Sequence, residues 1–200
     1  PDMLMGKGVI DHTYETLLAH KDIGVMGVKL TRADGSVMHS VRRDPEFPDQ
    51  LAILLKLPHL FANITDHYLA KDFDYNTSQN VEQIRGSFFA FRRDVIEKVG
   101  MLDQENFFIW FEEVDFCRRV RQAGFRIWYD ASVSCTDLVG QSFKQQSARL
   151  KQARFSKSMA RYFAKWHPTW QAWTVYALRP VVIALGALTD LVHLKSSLWK

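Results

Sequence analysis

The stretch FFIWFEEVDFCRRVRQAG occupies residues 107–124 and carries the strongest structural pattern in the chain. Five apolar residues come first, acidic residues follow them, arginines come later, and Gly124 ends the stretch. Acids near the start of a helix and cations near its end complement the helix macrodipole, and glycine commonly stands just beyond a helix C-terminus. The pattern therefore predicts a strand over residues 107–111 and a helix from about residue 112 to residue 123.

On both sides of this stretch, strand-like and helix-like runs alternate. Helix start signals predict further helices that begin near Asp11, Asp49 and Asp94, with Gly100 closing the last of them. The polar residues 58–80 are expected to form a surface excursion. Such alternation is typical of an α/β fold, in which helices flank a sheet. Apolar runs between turn residues predict the strands, at 24–30, 36–40, 81–91, 125–129 and 132–135.

The chain divides in charge near residue 142. Residues 1–142 carry 16 basic and 21 acidic side chains, whereas residues 143–200 carry 10 basic side chains and one acidic side chain, Asp190. We therefore predict a domain over residues 1–142 and a basic, amphipathic helical tail over residues 143–200. Pro168 separates two helices of that tail, and the second is expected to kink or restart at Pro180. A basic tail suits an anionic partner, which leaves nucleic acid, anionic lipid and a pyrophosphate-bearing substrate open.

Composition excludes several classes of protein. Hydrophobic residues make up 47% of the 200 residues and charged residues 24%, which is ordinary for a globular protein and not for a disordered one. Two cysteines form neither a disulfide framework nor a zinc site. Arg179 and Asp190 interrupt the most apolar part of the tail, so we expect it to lie on a membrane surface rather than to span the bilayer.

Adjacent Glu112 and Glu113 follow the apolar run directly, and two interpretations stay open. In the first, the acids only cap a helix, and Asp115 pairs with Arg118 or Arg119 at the spacing of helical neighbours. In the second, a carboxylate at the junction faces a cleft and acts as a general base.

An ordered series of motifs resembles the bacterial family 2 glycosyltransferases, and especially the rhamnosyltransferase-like enzymes of surface polysaccharide synthesis. The motifs are GSFFAFRR at 86–93, VGMLD at 99–103, FFIWFEEVDFCRR at 107–119, QAG at 122–124 and GQS at 140–142. The resemblance covers residues 1–142 and corresponds to the C-terminal portion of the catalytic domain. It implies a partial GT-A-like (Rossmann-like) mixed sheet with flanking helices. It also implies that the nucleotide-binding half is lacking, so that this chain alone is expected to be inactive.

The resemblance assigns roles to individual residues. Glu113 would be the base that deprotonates the acceptor hydroxyl, with Glu112 and Asp115 in support. Pro1 and Asp2 resemble the end of the family's Asn-Pro-Asp motif, so Asp2 would hold a divalent cation, Mg²⁺ or Mn²⁺, with hard oxygen ligands. Asp137 stands where many members have a metal-binding His, and it would be the second ligand. The substrate-binding residues would be Gly86, Ser87, Trp110 and Gln141.

The same resemblance implies the partners. The donor would be a dTDP- or UDP-sugar, and the acceptor a glycan or a polyprenyl-pyrophosphate-linked sugar. The enzyme would be cytoplasmic and peripheral on the inner face of the bacterial plasma membrane, with the tail on anionic lipid. Nucleic acid is not expected, because residues 1–142 are net acidic.

Several alternatives stay open. The chain could be a non-catalytic basic module that binds membranes or polyanions, or a glycoside hydrolase, although adjacent Glu112 and Glu113 cannot flank one bond from opposite sides. The tail could instead be a pair of helices that closes the open side of the sheet. Arg42 and Arg43 open a loop that is expected to be solvated, with contact to a phosphate as the alternative.

Overall fold

A computed structural model describes residues 3–138 and 146–197, with side chains described as far as Asp190. The chain is mixed α/β, as the sequence predicts, and it forms two compact units. The first unit comprises Pro1–Pro45, Asp66–Asp103 and Glu113–Gln141, and the second comprises Glu46–Thr65, Gln104–Glu112 and Ser142–Lys200. The predicted domain boundary at residue 142 stays a prediction, because compactness does not test whether either part folds alone.

Eight strands and six α-helices lie within the described residues. In chain order they are β1 (Met3–Met5), α1 (Val9–Ala19), β2 (Ile23–Thr31), β3 (Val37–Met38), β4 (Val41–Arg42), α2 (Phe47–Leu54), β5 (Gln79–Val81), β6 (Gln83–Ile84), β7 (Ala90–Phe91), α3 (Arg93–Val99), α4 (Glu112–Gln122), β8 (Arg126–Asp137), α5 (Ala148–Trp166) and α6 (Thr169–Ser197).

The first unit is built around a six-stranded mixed sheet in the order β1-β8-β2-β3. Strands β2 and β8 run parallel, β5 pairs with β8, and β7 pairs with β2. A separate two-stranded ribbon joins β4 to β6. Strand β2 reads as an almost continuous apolar run because both of its faces are covered. Val25 packs in a core with Phe116 of α4, whereas Met26 and Val28 pack with Val9 and Leu17 of α1.

Two glycines in β2 allow its neighbours to approach closely. A Cβ added at Gly27 would lie 2.5 Å from Cδ1 of Ile84, and one at Gly24 would lie 2.7 Å from Cβ of Phe125. Since real Cβ atoms do not come that close to other atoms, a larger residue at either position would push α4 or the β4–β6 ribbon away from the sheet. The sheet therefore needs glycine where it meets the segments that carry the site.

Several predicted elements are confirmed and others are wrong. The strands predicted at 24–30 and 36–40 form a hairpin of β2 and β3, in which Leu30 pairs with Met38 and Thr31 with Val37. The two strands predicted at 125–129 and 132–135 are one strand, β8, with an irregular register where it follows Asp130. A helix begins near Asp94 as predicted, but the Asp94 carboxylate does not cap it and accepts hydrogen bonds from Arg92 at 2.9 and 3.1 Å.

The predicted surface excursion is only partly correct. Most of residues 58–80 form turns, but Tyr75 is buried in the core of the first unit. The Tyr129 hydroxyl donates to the carbonyl oxygen of Tyr75 at 2.9 Å, and the Tyr75 hydroxyl accepts from the backbone N–H of Val41 at 3.1 Å. These hydrogen bonds tie the segment to both β8 and β4, which places it beside the candidate site.

The second unit is helical. A carboxylate of α6 caps α5, because Asp190 accepts hydrogen bonds from the backbone N–H groups of Ala148 and Arg149 at 2.6 and 3.0 Å. A Cβ at Gly186 would lie 3.0 Å from the carbonyl oxygen of Ala148, so the small residue permits the close approach of the two helices. Helix α6 continues through Pro180, and the predicted restart there is wrong.

The strand predicted over residues 107–111 is also wrong. Trp110 and Phe111 have φ angles of 58° and 67°, which are incompatible with an extended strand. The aromatic rings pack within the second unit: the Phe111 ring centroid lies 5.2 Å from that of Tyr162, and the Trp110 centroid lies 5.7 Å from that of Phe155. Contacts with a helix distant in sequence therefore decide the conformation of this run.

One helix in the described part of the chain, Thr169–Asp190, is long and apolar enough to cross a membrane by length and composition alone. Its mean hydropathy is 1.4, and 22% of its most apolar stretch is buried. The length and apolarity exceed what the sequence pattern led us to expect. Buried helices of soluble proteins meet the same criterion, so the finding does not by itself assign a membrane.

Candidate active site

Helix α4 begins with the two adjacent glutamates, as the sequence predicts. The left-handed backbone of Trp110 and Phe111 comes directly before it. A non-glycine residue in that conformation costs about 1–2 kcal/mol, and strain of this kind is concentrated at functional sites. The division between the compact units falls between Glu112 and Glu113. The two carboxylates therefore belong to different units.

Glu113 lines a cavity of about 170 Å³ within the first unit. The cavity is formed by segments far apart in the chain, since Ser40, Tyr68 and Gln83 also line it. The Glu113 side chain is half-buried. A partly dehydrated carboxylate at a helix N-terminus is favoured in its ionised form by the helix dipole, which is the form that a base needs.

Gly86 lies beside Glu113. A Cβ built on Gly86 would lie 3.9 Å from the Cβ of Glu113, which is ordinary van der Waals contact. Gly86 and Ser87 are both exposed, and they stand in the segment that connects β6 to β7. The structure thus brings one of the predicted substrate-binding residues to the predicted base, although the two are separated by 26 positions in the sequence.

Glu112, the first residue of α4, is half-buried like Glu113. Burial raises the pKa of its carboxyl group above the ordinary value. Its Oε2 atom is buried and has no hydrogen-bond partner among the residues that the structure describes. Because ionisation there carries a desolvation cost, a smaller fraction of this carboxyl group is ionised at a given pH than of an exposed one.

Asp115 is completely buried, and Arg119 holds it. The Nε atom of Arg119 donates to Oδ2 of Asp115 at 2.8 Å. The same guanidinium donates to the carbonyl oxygens of Val99, the last residue of α3, and of Met101. Asp115 therefore joins α4 to the end of α3, and this confirms the predicted pairing with Arg119. A direct part for Asp115 in catalysis stays a prediction.

Of the two predicted metal ligands, the structure describes only Asp137, since Asp2 lies outside the described residues. Asp137 is buried at the end of β8 and is paired with Met3 of β1. Within residues 3–138 and 146–190, no group of three or more His, Cys, Asp and Glu side chains could hold a metal ion. The divalent cation stays a prediction.

The remaining predicted residues do not join this cavity within the described structure. Trp110 belongs to the second unit. Gln141 lies outside the described residues. Their predicted contacts with substrate therefore stay untested.

The chain matches no protein-family model and no curated protein. The resemblance to family 2 glycosyltransferases thus rests on the sequence motifs alone.

Two arginines at this site had no clear signal in the sequence. Arg42 and Arg85 both line the cavity with Glu113. Arg42 was expected in a solvated loop, with contact to a phosphate as the alternative, but it lies on β4 and is half-buried. Arg42 and Arg85 reach the same cavity because β4 pairs with β6, so that Val41 lies opposite Ile84. Neighbours across a ribbon this short cannot be identified from spacing in one sequence.

A second polar cluster, also missed from the sequence, joins α1 to β8. The Nε2 atom of His12 lies 3.0 Å from Oδ2 of Asp130 and 3.1 Å from Oγ of Ser132. A Ser-His-Asp relay uses both ring nitrogens, one for each partner, whereas here Nε2 meets both. Although burial alone would raise the pKa of Asp130, hydrogen bonds from Ser132 and His12 hold it below its ordinary value. The cluster is therefore structural, and it braces the irregular part of β8.

Proposed function

We propose that this chain is the acceptor-side part of an inverting glycosyltransferase with a GT-A-like fold, resembling family 2, in which Glu113 is the catalytic base. The observation that carries the proposal is the position of Glu113 at the start of α4 in a cavity beside Gly86. A mixed sheet with flanking helices supports the fold assignment, and the ordered motifs support the family.

The reaction is a single displacement. Glu113 accepts the proton of an acceptor hydroxyl while that oxygen attacks the anomeric carbon of the donor sugar. The bond between the anomeric carbon and the phosphate oxygen breaks, and the nucleoside diphosphate leaves with the electron pair. One displacement inverts the anomeric configuration, so no enzyme nucleophile is required. Of the three acids in the α4 cluster, Glu113 is the one that lines the cavity, which favours it over Glu112 and Asp115.

The donor is a dTDP- or UDP-sugar, and a divalent cation is part of the proposal. Asp137, with Asp2, would supply carboxylate oxygens, the ligands that Mg²⁺ and Mn²⁺ prefer. When bound, such an ion neutralises charge on the leaving diphosphate. Gly86 and Ser87 leave room for the sugars at the cavity, and Trp110 and Gln141 are proposed to contact substrate.

The second unit provides a surface suited to anionic lipid. Trp173 and Leu188 of α6 are among its exposed hydrophobic residues. The tail carries ten basic side chains and one acidic side chain. Apolar contacts combined with basic side chains are the features of peripheral helices on anionic membranes. The proposed location is the cytoplasmic face of the bacterial plasma membrane, where a polyprenyl-pyrophosphate-linked acceptor would be found.

The decisive experiment replaces Glu113 with Gln in the complete gene product. This substitution keeps the size of the side chain and removes its basicity. Turnover with a nucleotide-sugar donor should fall about 10²–10⁴-fold, the usual loss when a general base is removed, with donor affinity nearly unchanged. Glu112→Gln is the matched control, and its effect on turnover should be much smaller.

The outcomes separate the candidate functions. If Glu112→Gln abolishes turnover and Glu113→Gln does not, the base is Glu112. If neither substitution changes turnover, the glutamates only cap a helix and the proposed mechanism fails. Hydrolysis of a free glycoside without a nucleotide-sugar would point to a glycoside hydrolase. Membrane binding with no reaction of any sugar would point to the non-catalytic basic module.

A further inference from the structure

Arg42 lines two cavities of the first unit. One is the cavity of about 170 Å³ that contains Glu113 and Arg85. The other has a volume of about 360 Å³ and includes Val41, Phe73 and Val81 among its lining residues. A group bound by Arg42 would therefore have the base on one side and a larger, partly apolar space on the other.

The positive charges of Arg42 and Arg85 are not neutralised locally. Within the described residues, neither guanidinium lies within 4.0 Å of a carboxylate, whereas Arg43 is paired with Asp72 at 2.6 Å and Arg121 with Asp44 at 2.5 Å. Glu82, which also lines the larger cavity, uses its Oε2 atom to accept the backbone N–H of Asp44.

The hydrogen-bond donors of the two arginines are only partly used. Nη1 of Arg42 donates to the carbonyl oxygens of His39 and Val41 at 2.9 and 2.6 Å, and Nη1 of Arg85 contacts Sδ of Met38 at 3.2 Å. Arg42 also has a side-chain hydrogen bond to Tyr75, so Arg85 keeps more of its donors than Arg42 does. Because a guanidinium has five N–H donors in a planar fork, each of the two groups keeps donors that can bind an oxyanion.

We propose that Arg42 and Arg85 form a subsite for a phosphate or pyrophosphate ester carried by the acceptor. This inference rests on the proposed function and extends it to the residues that bind the phosphate of the acceptor. Arginine forks bind phosphate oxygens through paired charge-assisted hydrogen bonds. Glu113 takes the proton of the acceptor hydroxyl in the same cavity, so an anion bound between Arg42 and Arg85 lies close to the acceptor.

The larger cavity indicates what is attached to the other side of the phosphate. Its lining is mixed, because Gln79, Asn80 and Glu82 are polar. Val41, Phe73 and Val81 give it an apolar portion, which suits the first carbons of a hydrocarbon ester. A sugar on one side of a pyrophosphate and a hydrocarbon on the other is the chemistry of a lipid-linked acceptor. A nucleoside diphosphate would place a polar base and ribose there instead.

The test measures binding by calorimetry, in EDTA to exclude metal-dependent nucleotide binding. The probes are inorganic pyrophosphate, geranyl pyrophosphate and UDP, each titrated into the complete gene product. Geranyl pyrophosphate should bind most tightly. Arg85→Gln and Arg42→Gln should each weaken it by about 10-fold or more, as expected when a charge-assisted hydrogen bond is lost. Arg32→Gln is the control, because Arg32 is exposed and bonded only locally, to Ser36 and Val37.

Arg85 has fewer structural hydrogen bonds than Arg42. Its replacement should therefore disturb the fold less, so the Arg85→Gln result can be interpreted even if Arg42→Gln destabilises the protein. If geranyl pyrophosphate and pyrophosphate bind equally well to both cavity variants and to the wild type, the subsite does not exist. If UDP binds more tightly than geranyl pyrophosphate with the same dependence on the arginines, the anion is the donor's and the assignment to the acceptor is overturned.

These outcomes are independent of the proposed base. Glu113→Gln should leave anion binding intact or tighten it, because it removes a neighbouring negative charge. Loss of turnover in Glu113→Gln, with no effect of the arginines on binding, would refute only the anion subsite. Binding that depends on the arginines, with turnover that does not depend on Glu113, would refute only the proposed base.

Discussion

The two compact units satisfy their basic side chains in different ways. In the first unit, ion pairs join basic and acidic side chains, and they range from the buried Arg119–Asp115 pair to the exposed Arg93–Glu97 pair. In the second unit, Arg161 donates to the carbonyl oxygens of Glu105 and Asn106 at 2.9 Å. The Arg154 guanidinium lies 5.1 Å from the ring centroid of Phe108.

The comparison indicates which positive charges stabilise the fold and which can attract an anionic partner. A carbonyl oxygen or an aromatic face satisfies a guanidinium without cancelling its charge, so the second unit keeps a positive field. Six arginines of the first unit take part in ion pairs, whereas Arg42 and Arg85, which have no carboxylate within 4.0 Å among the described residues, line the cavity with Glu113. A charge change should therefore affect stability in the first unit and partner binding in the second.

The largest effect on stability is expected from Asp115→Asn. Asp115 is completely buried and its partner Arg119 is mostly buried. Removing one member of a buried pair leaves the other charge uncompensated and costs about 3–5 kcal/mol. Urea unfolding should show a loss near the lower end of that range, because Asn can still accept one hydrogen bond.

Glu97→Gln is the control for this comparison. It breaks the Arg93–Glu97 pair, whose side chains are 93% and 69% exposed, and exposed pairs of this kind contribute about 0.3–0.5 kcal/mol. Equal losses in the two variants would contradict the view that the α4 pair has a structural role. Normal stability with lost turnover in Asp115→Asn would instead place Asp115 in the chemistry.

An intermediate effect is expected in the second unit, from Trp173→Ser. The Trp173 side chain is 68% exposed on α6, and burying such a ring in the lipid interface is worth about 1.5–3 kcal/mol. Flotation with vesicles that contain anionic lipid should show binding weakened by about 10-fold or more. Added salt should weaken the binding of the wild type as well.

Tyr14→Ser is the matched control, because Tyr14 is 64% exposed and lies on α1 of the first unit. Its substitution should leave vesicle binding unchanged. Equal binding of the wild type to neutral and anionic vesicles, or equal weakening by the two substitutions, would show that the basic second unit does not direct membrane binding.

Local chemistry explains which parts of the fold the sequence predicts. The turn after β2 is predictable because Asp34 itself accepts the backbone N–H of Ser36 at 2.9 Å. The helix from Glu112 is predictable because its charges complement its dipole. The strand at 107–111 fails because rings of residues 110 and 111 pack on α5, some 45 positions later in the chain.

The candidate site also has a part that the sequence predicts and a part that it does not. Glu113 is found from the sequence because its position at the start of a helix is a local property. The cavity around it is formed by four separate segments, which contribute Ser40, Tyr68, Gln83 and Glu113. The roles of Arg42 and Arg85 are therefore visible only after the chain has folded, since no spacing rule connects these segments.

The smallest effect is expected from Glu112→Gln, and it depends on pH. Burial raises the pKa of Glu112 in the folded protein, so the folded state holds this proton more tightly than the unfolded state does. Stability then falls as pH rises from the unfolded pKa, about 4.3, through the folded pKa. Glu112→Gln removes that loss, and the variant should melt at a higher temperature than the wild type at neutral pH. The difference should disappear below about pH 4, where both states hold the proton. Thermal unfolding at neutral pH and below about pH 4 measures this difference in melting temperature. The control is the exposed Glu97→Gln, which should show no such shift.

A Glu112→Gln variant that is less stable than the wild type at neutral pH would mean that ionised Glu112 has a favourable partner. Glu112 would then compete with Glu113 for the role of base.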